Sequence, residues 1–332
     1  MRRKKQDRIF SVSPWERRSL SNRRGNEFDV SCQVNTTDPE LVHAEVGRIS
    51  RELYPAASTV EIDRAFEDLT SMYRGQYPGF HSCDTAYHDI QHVLDVTLAM
   101  ARLIDGYERG KVGAEPLGAP LYRLGVITAL FHDCGYIRTL DDTIHKNGGE
   151  LTLTHVSRGA RFLKSYLPKI GMGEVADIAA ALIHFTGYEM PVSQIQVPSL
   201  SYKLLGSLLG SADIVAQMSD RCYLEKCRDR LYPEFVAGGI ARKRLPDGKE
   251  EVVYESGEDL VMKTPRFYAV ATRRLDADLG GAHRYAKNYF GGQNLYLEEL
   301  TKNIEFAQAM EKEGDGAALK RNPPNTLFVH EQ

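Results

Sequence analysis

Histidines and aspartates recur in this chain at spacings that could gather them into one site. The stretch Leu121–Tyr136, LYRLGVITALFHDCGY, is an apolar helical run that ends in the adjacent pair His132-Asp133. Leu124, Ile127, Leu130 and Phe131 recur at helical spacing, so one face of it should be buried. An imidazole and a carboxylate side by side at the end of a buried helix are costly unless something compensates them. A divalent cation would do so, because both side chains are good ligands for Zn, Fe or Mn. An isolated pair of this kind is more often a hydrogen-bonded core histidine beside a solvated aspartate. The rest of the chain must shift that balance.

A second stretch, Tyr87–Val96, reads YHDIQHVLDV. On a helix His88 and His92 are i and i+4 and share a face. Either both reach one metal site, or one binds metal while the other handles protons nearby. Farther on come His155 (LTHVSRGARFL), His184 (ALIHFTGYE) and Asp213 (GSADIVAQMSD), each in an apolar or small-residue helical context. An unpaired charge would be costly in such surroundings. Any one of them alone reads as a satisfied core residue, but five helices each presenting an inward His or Asp are hard to explain that way.

These groups need a scaffold, and the sequence predicts a mostly helical one. Helices are expected over Leu41–Leu53, from Ser58 or Thr59 to Tyr73, and over Tyr87–Ile104 and Leu121–Tyr136. Further ones are expected over Glu150–Leu167, Gly173–Phe185, Ser199–Met218, Asp220–Leu231, Pro265–Leu275, Gly281–Phe290 and Leu295–Glu311. Ile240–Tyr254 is the one strand-like passage, with Pro246-Asp247-Gly248 between two short arms of a hairpin. The fold class is therefore all-α with one small hairpin insertion. Residues 1–30 form a basic tail too poor in apolar residues for a core of its own. Residues 31–312 form one mostly α domain that carries these histidines and aspartates, and 313–332 a loose C-terminal tail.

Composition bounds the function. The chain has 332 residues, 42% hydrophobic and 26% charged, with a net charge of -3. That balance is globular, and the charge argues against nucleic acid as the partner of the whole chain. No apolar run approaches the ~20 residues of a membrane span, and the N-terminus lacks the apolar core of a secretory signal. Five scattered cysteines without a CxxC pair fit a reduced, cytoplasmic protein rather than a disulfide framework or zinc ribbon.

The order His92, His132-Asp133, Asp213 resembles the HD superfamily of metal-dependent phosphohydrolases, an all-helical fold. Within it, YHDIQHVLDV is similar to the YHNxxHAxDV signature of class I cyclic-nucleotide phosphodiesterases. The resemblance covers about residues 80–230. It implies that His92, His132, Asp133 and Asp213 hold a first metal, that Asp133 bridges to a second, and that His88 protonates the leaving oxygen. The chain also departs from the pattern. Tyr136 stands where class I enzymes complete HDxxH, and Asp89 stands where they have Asn. His155 and His184 fall where the cyclic-dinucleotide-degrading HD-GYP branch supplies histidines for the second metal, although the GYP element is replaced by Thr186-Gly187-Tyr188. At the substrate, the resemblance points to Tyr87, and Gln293 beside Phe290 is the candidate for the purine contact.

The resemblance implies a metal-dependent phosphodiesterase that hydrolyses cAMP or cGMP to the 5′-monophosphate by attack of a metal-bound hydroxide. Two divalent ions are expected, the first Zn, Fe or Mn and the second Mg or Mn. The partners expected are a small-molecule nucleotide and, in a homodimer, a second copy of the chain. The alternatives are an HD hydrolase of cyclic dinucleotides or nucleoside monophosphates, and a metal-dependent nucleotide sensor without turnover.

Overall fold

The apolar residues of Ile90–Gly110 repeat on every side of the helix, which is the pattern of a segment enclosed by others. In the computed structural model, which describes residues 24–244, 248–314 and 319–328, this helix, α3, lies at the centre. Every residue from Ile90 to Tyr107 except Asp95 is buried. In chain order the α-helices are α1 (Pro39–Leu53), α2 (Val60–Tyr73), α3, α4 (Gly118–Leu130), α5 (His155–Tyr166), α6 (Ala176–Leu182) and α7 (Leu200–Ser219). They continue with α8 (Tyr223–Lys226), α9 (Tyr232–Ala237), α10 (Gly257–Arg273), α11 (Ala286–Tyr289) and α12 (Leu295–Glu313). Helix α3 packs against α7, α4, α11 and α1, and α12 covers α7 and α10. The protein is thus mostly helical. Among the described residues no helix is long and apolar enough to cross a membrane.

Strands β1 (Arg242–Arg244) and β2 (Glu250–Val252) pair antiparallel, with Arg242 opposite Val252. They are the two arms of the expected hairpin, and its turn at 245–247 lies outside the described residues. Two of the helix starts that differ from the periodicity are set by side-chain caps. Helix α3 begins at Ile90, not Tyr87, because the Asp89 carboxylate caps it by accepting from the His92 amide at 3.0 Å. His88 therefore precedes the helix, and the expected shared helical face with His92 does not exist. Helix α10 begins eight residues before Pro265, where Ser256 caps it by accepting from the Asp259 amide at 3.2 Å. Proline removes one hydrogen bond inside a helix. Burial of Leu260, Val261, Thr264 and Ala271 along one side outweighs that loss.

Both expected tails need correction where they are described. Residues 1–23 lie outside the described residues, but Asp29 and Val30 at the end of the expected tail are buried. Asp29 and Arg102 are 3% and 1% exposed and form a 2.6 Å ion pair. Burial alone would raise the Asp29 carboxyl, but Arg102 and hydrogen bonds from Ser31 and Val34 hold it at about 2. The C-terminal residues 319–328 are not loose. Arg230 donates to the carbonyls of Pro323 and Pro324 at 3.1 and 2.6 Å, Thr326 donates to the Asp89 carboxylate, and Leu319 is buried. Proline and glycine removed the periodic signal there, but not the backbone carbonyls that a neighbouring arginine could hold.

Behind α3, Lys226 donates to Asp220 at 2.5 Å and to Gln91 at 2.9 Å. Burial and the Asp220 charge push the nearby Asp95 carboxyl up to about 7, with Lys226 opposing.

Replacing Asp29 with Ala leaves the Arg102 guanidinium buried without its anion. A loss of about 3–5 kcal/mol is expected, the usual cost of breaking a buried pair, and urea unfolding would measure it. Asp95 makes a different prediction. The unfolded chain releases that proton near an ordinary ~4, while the folded form keeps it up to about 7. Between those values the folded state binds more protons, so the Asp95 contribution to stability falls as pH rises through the window. Asp95→Asn should flatten this fall, gaining on the parent most clearly near pH 8. An unchanged pH dependence in that variant would count against the assignment.

Candidate metal centre

Three helices supply the first group of donors. His92 comes from the first turn of α3, His132 and Asp133 from the turn directly after α4, and Asp213 from α7. Nε2 of His92 and Nε2 of His132 are 3.3 Å apart. Asp133 Oδ2 lies 3.2 Å from each, and Asp213 Oδ1 lies 3.5 Å from His92 and 3.9 Å from His132. Donors held about 2.0–2.2 Å from one ion end up roughly 3–4 Å from one another, so these four are spaced to hold one divalent cation. His92, His132 and Asp213 form such a cluster on their own, and Asp133 adds an oxygen to it.

Tautomer and charge agree with that use. His132 Nδ1 lies 2.8 Å from the Ala129 carbonyl. A carbonyl only accepts, so Nδ1 carries the hydrogen and Nε2 presents a lone pair to the cluster. Burial disfavours an imidazolium here, yet Asp133 and Asp213 push His132 up to about 9. Asp133 is itself held well below the carboxylate range by His132 and His92, against the effect of its burial. A field that favours a proton among these atoms favours a metal cation more strongly.

The other oxygen of Asp133 faces a second donor. Oδ1 lies 3.6 Å from Nε2 of His155, at the start of α5. His155 Nδ1 donates to the Thr152 carbonyl at 2.7 Å, so its Nε2 is again the free lone pair. Burial drives its pKa down, which keeps the ring neutral. Gly135 permits this closeness. A Cβ added there would lie 1.8 Å from the His155 carbonyl oxygen. Tyr136 packs against both imidazoles, with its ring centroid 4.2 Å from His88 and 4.3 Å from His155, tilted 16° and 18°, while the two imidazole centroids are 6.2 Å apart.

His88 is held from across the chain. Its Nδ1 lies 2.5 Å from Glu234 Oε2, and Glu234 Oε1 accepts from the Tyr87 amide at 2.6 Å. Glu234 sits in α9, immediately after a turn of π-helix at Cys227–Leu231. Such turns are frequent where a helix is re-aimed at a site. Burial lowers the His88 pKa, but Glu234, with the charges of Asp133 and Asp213, reverses that, and the net direction is upward. The residue is thus biased toward its protonated form, with Nε2 available to the cavity.

A cavity of about 470 Å³ brings His88, His92, Asp133, His155 and Asp213 to one end. Leu231, Phe235, Ile240, Leu260 and Phe267 line it farther out. Tyr87, expected at the substrate, does line the cavity, but its hydroxyl donates to Gln217 at 3.2 Å, and Gln217 donates to Asp213 at 3.3 Å. It orients a metal-ligand candidate. His184 does not line the cavity. Its Nδ1 pairs with Glu189 at 2.8 Å, so it is not brought together with Asp133 and His155. Gln293 is exposed in the turn between α11 and α12, also outside the lining.

No family model matches this chain, and no curated protein sequence does. Chemistry must therefore be read from the site itself. Glu234 and Gln217 are the functional residues that sequence reasoning missed. Gln217 stands at i+4 from Asp213, a spacing that carried a usable signal. Glu234 lies 146 positions from His88, and nothing local marks it.

Metal content separates the histidines. Under saturating Mn, His155→Ala should keep about one ion per chain and lose a second, whereas His184→Ala should match the parent. Asp133→Ala, which touches both halves, should lose both. Metal analysis after gel filtration checks this; a His184 variant with the lower stoichiometry would reverse the assignment.

Proposed function

We propose that this chain is a metal-dependent phosphodiesterase with an HD-type helical fold, hydrolysing 3′,5′-cyclic nucleotides to 5′-monophosphates. The observation that carries the reading is the Asp133 carboxylate, with one oxygen turned to His92 and His132 and the other to His155, in the same cavity as a glutamate-held His88. Metal clusters alone serve many ends. A histidine poised as an acid beside one suits bond cleavage at phosphorus.

The donor set fits one cation held by His92, His132, Asp133 and Asp213, and a second approached by Asp133 and His155. When bound, such ions neutralise non-bridging phosphate oxygens and acidify the attacking water. The chain's own residues do the rest. The cavity holds the phosphodiester at the donor end and the base along the apolar wall. His88 gives its Nε2 proton to O3′ as the P–O3′ bond breaks, so the sugar leaves as an alcohol rather than an alkoxide. Glu234 keeps the hydrogen on Nδ1 and stabilises the imidazolium before transfer. The water contributes its oxygen to phosphorus, and its proton replaces through solvent the one His88 has given up.

The cyclic-dinucleotide alternative drew on His184 as a metal ligand, and that residue is absent from the cavity lining and pairs with Glu189, which is part of it. A sensor without turnover would give the His88–Glu234 pair nothing to do. The deciding experiment is product analysis on cAMP, cGMP and cyclic di-GMP with metal-reconstituted protein; cleavage of the cyclic mononucleotides to 5′-monophosphates is expected.

His88→Ala should keep its metal while turnover of a cyclic nucleotide falls roughly 10²–10⁴-fold, the usual contribution of a general acid. A nitrophenyl phosphodiester, whose leaving group needs no proton, should lose far less. Glu234→Gln removes the charge that raises the His88 pKa, so the basic limb of kcat/KM should move to lower pH. Equal losses on both substrates would exclude His88 as the acid.

A further inference from the structure

His88 belongs to no helix, and a residue outside regular structure keeps its place only where the chain on either side of it is held. Arg230 holds both sides. Its Nη1 donates to the Ala86 carbonyl at 3.5 Å and to the Asp89 carboxylate at 3.3 Å, so one guanidinium brackets Tyr87 and His88. Four residues farther on, Glu234 takes the Tyr87 amide at 2.6 Å and the His88 Nδ1 at 2.5 Å. The segment 86–89 is therefore gripped twice from one stretch, the π-helical turn Cys227–Leu231 and the helix α9 that follows it. Asp89 is 1% exposed, and a buried carboxylate is costly without donors to meet it. Arg230 meets it without lining the cavity.

The other nitrogen of the same guanidinium is committed to the strap formed by residues 319–328. Nη2 donates to the carbonyls of Pro323 and Pro324. A proline has no N–H of its own, so this dipeptide offers acceptors alone. Two residues on, Thr326 donates to the same Asp89 oxygen that Arg230 reaches. The strap is seated at both ends. Leu319 is buried, and the Arg74 guanidinium lies 5.0 Å from the Phe328 ring centroid. The planar fork of an arginine can serve two directions at once, which the single nitrogen of a lysine cannot do. Contacts therefore run without a break from the strap through Arg230 to Ala86 and Asp89, the residues on either side of Tyr87-His88.

Resting on the phosphodiesterase reading, we propose that Arg230 is a positioning residue for His88 and that the strap sets Arg230, so that proton transfer to the leaving oxygen depends on a segment outside the cavity. With the strap seated, Ala86 and Asp89 are fixed, and the loop carries the Tyr87 amide and the His88 ring to Glu234. With the fork or the Thr326 hydroxyl lost, the metal-ligand candidates keep their places. His132, Asp133, Asp213 and His155 come from other elements, and His92 rides on α3, which is packed against α4 and α7. His88 alone loses its aim, and a displacement of about 1 Å can lower turnover about 10²-fold.

The test compares Arg230→Lys, Thr326→Val and Thr326→Ser with the parent, each as the metal-loaded full chain. Thr326→Val keeps the shape of the side chain and decides the matter should Arg230→Lys not fold. Hydrogen exchange at the Tyr87 amide, whose acceptor is Glu234, reads the grip without reference to turnover. It should be roughly tenfold faster in Arg230→Lys and Thr326→Val, and parent-like in Thr326→Ser. Turnover of cAMP should fall roughly 10–10²-fold in the first two and recover in Thr326→Ser, while metal content and turnover of a nitrophenyl phosphodiester stay near those of the parent. Unchanged Tyr87 exchange, unchanged cAMP turnover, lost metal, or equal losses on the two substrates each overturn the inference and leave the phosphodiesterase reading intact. If the metal-loaded parent hydrolyses no cyclic nucleotide, the phosphodiesterase reading fails, and this inference fails with it.

Discussion

The Asp133 carboxylate must face two ways. One oxygen lies among the imidazoles of His92 and His132, the other opposite His155, and the side chain is buried. A short side chain cannot be adjusted to such a task, so the backbone must bring its partners to it. Helix α4 ends just before it, Gly135 lets α5 approach within a distance that no Cβ would allow, and the first turn of α3 presents His92. The buried polar atoms cost stability unless paired. That cost is met by the apolar enclosure of α3 and α4 on the far sides of the same helices.

A second unit holds His88, the proton donor of the proposed reaction. Asp89 caps α3 with one oxygen, while its other oxygen is shared by Arg230 and Thr326. Arg230 lies in the π-helical turn that precedes Glu234, and it also grips the C-terminal carbonyls of Pro323 and Pro324. The start of α3, the turn that aims Glu234, and the C-terminal strap are therefore one mechanical assembly around His88. Strain at any of the three would reach the imidazole, although the strap touches neither the cavity nor the metal-ligand candidates.

The legible part of this arrangement was the part written in local pattern. Helices α1, α2, α7 and α12 stand close to where apolar spacing put them, and His92, His132, Asp133 and Asp213 do converge. Their surroundings announced them, because a charged or metal-binding group in an apolar helix conflicts with its neighbours. The misread parts are those fixed by distant partners. Spacing put His88 on one helix face with His92, since a cap by Asp89 and a helical continuation look alike in sequence. His184 had the same apolar context as His155, and only the fold decides which one faces Asp133. Asp29 was assigned to a tail because its partner, Arg102, lies 73 residues away. Glu234 carried no signal at all.

The long reach to Glu234 has an electrostatic reason. On the phosphodiesterase reading, His88 must hold a proton while one or two divalent cations sit nearby, its ring centroid being 5.7 Å from that of His92. Cations at that range repel an imidazolium, and the repulsion is strong in a partly dehydrated cavity. A carboxylate 2.5 Å from the opposite nitrogen acts at much shorter distance, and Coulomb attraction grows as separation shrinks. The stacked Tyr136 ring adds the negative face of its π-system. An acid placed on α3 itself would have had neighbours only on its own helix face, all of them drawn toward the metal donors. Setting His88 just before the cap leaves it near the reacting atoms and opens its other side to a carboxylate from elsewhere in the chain.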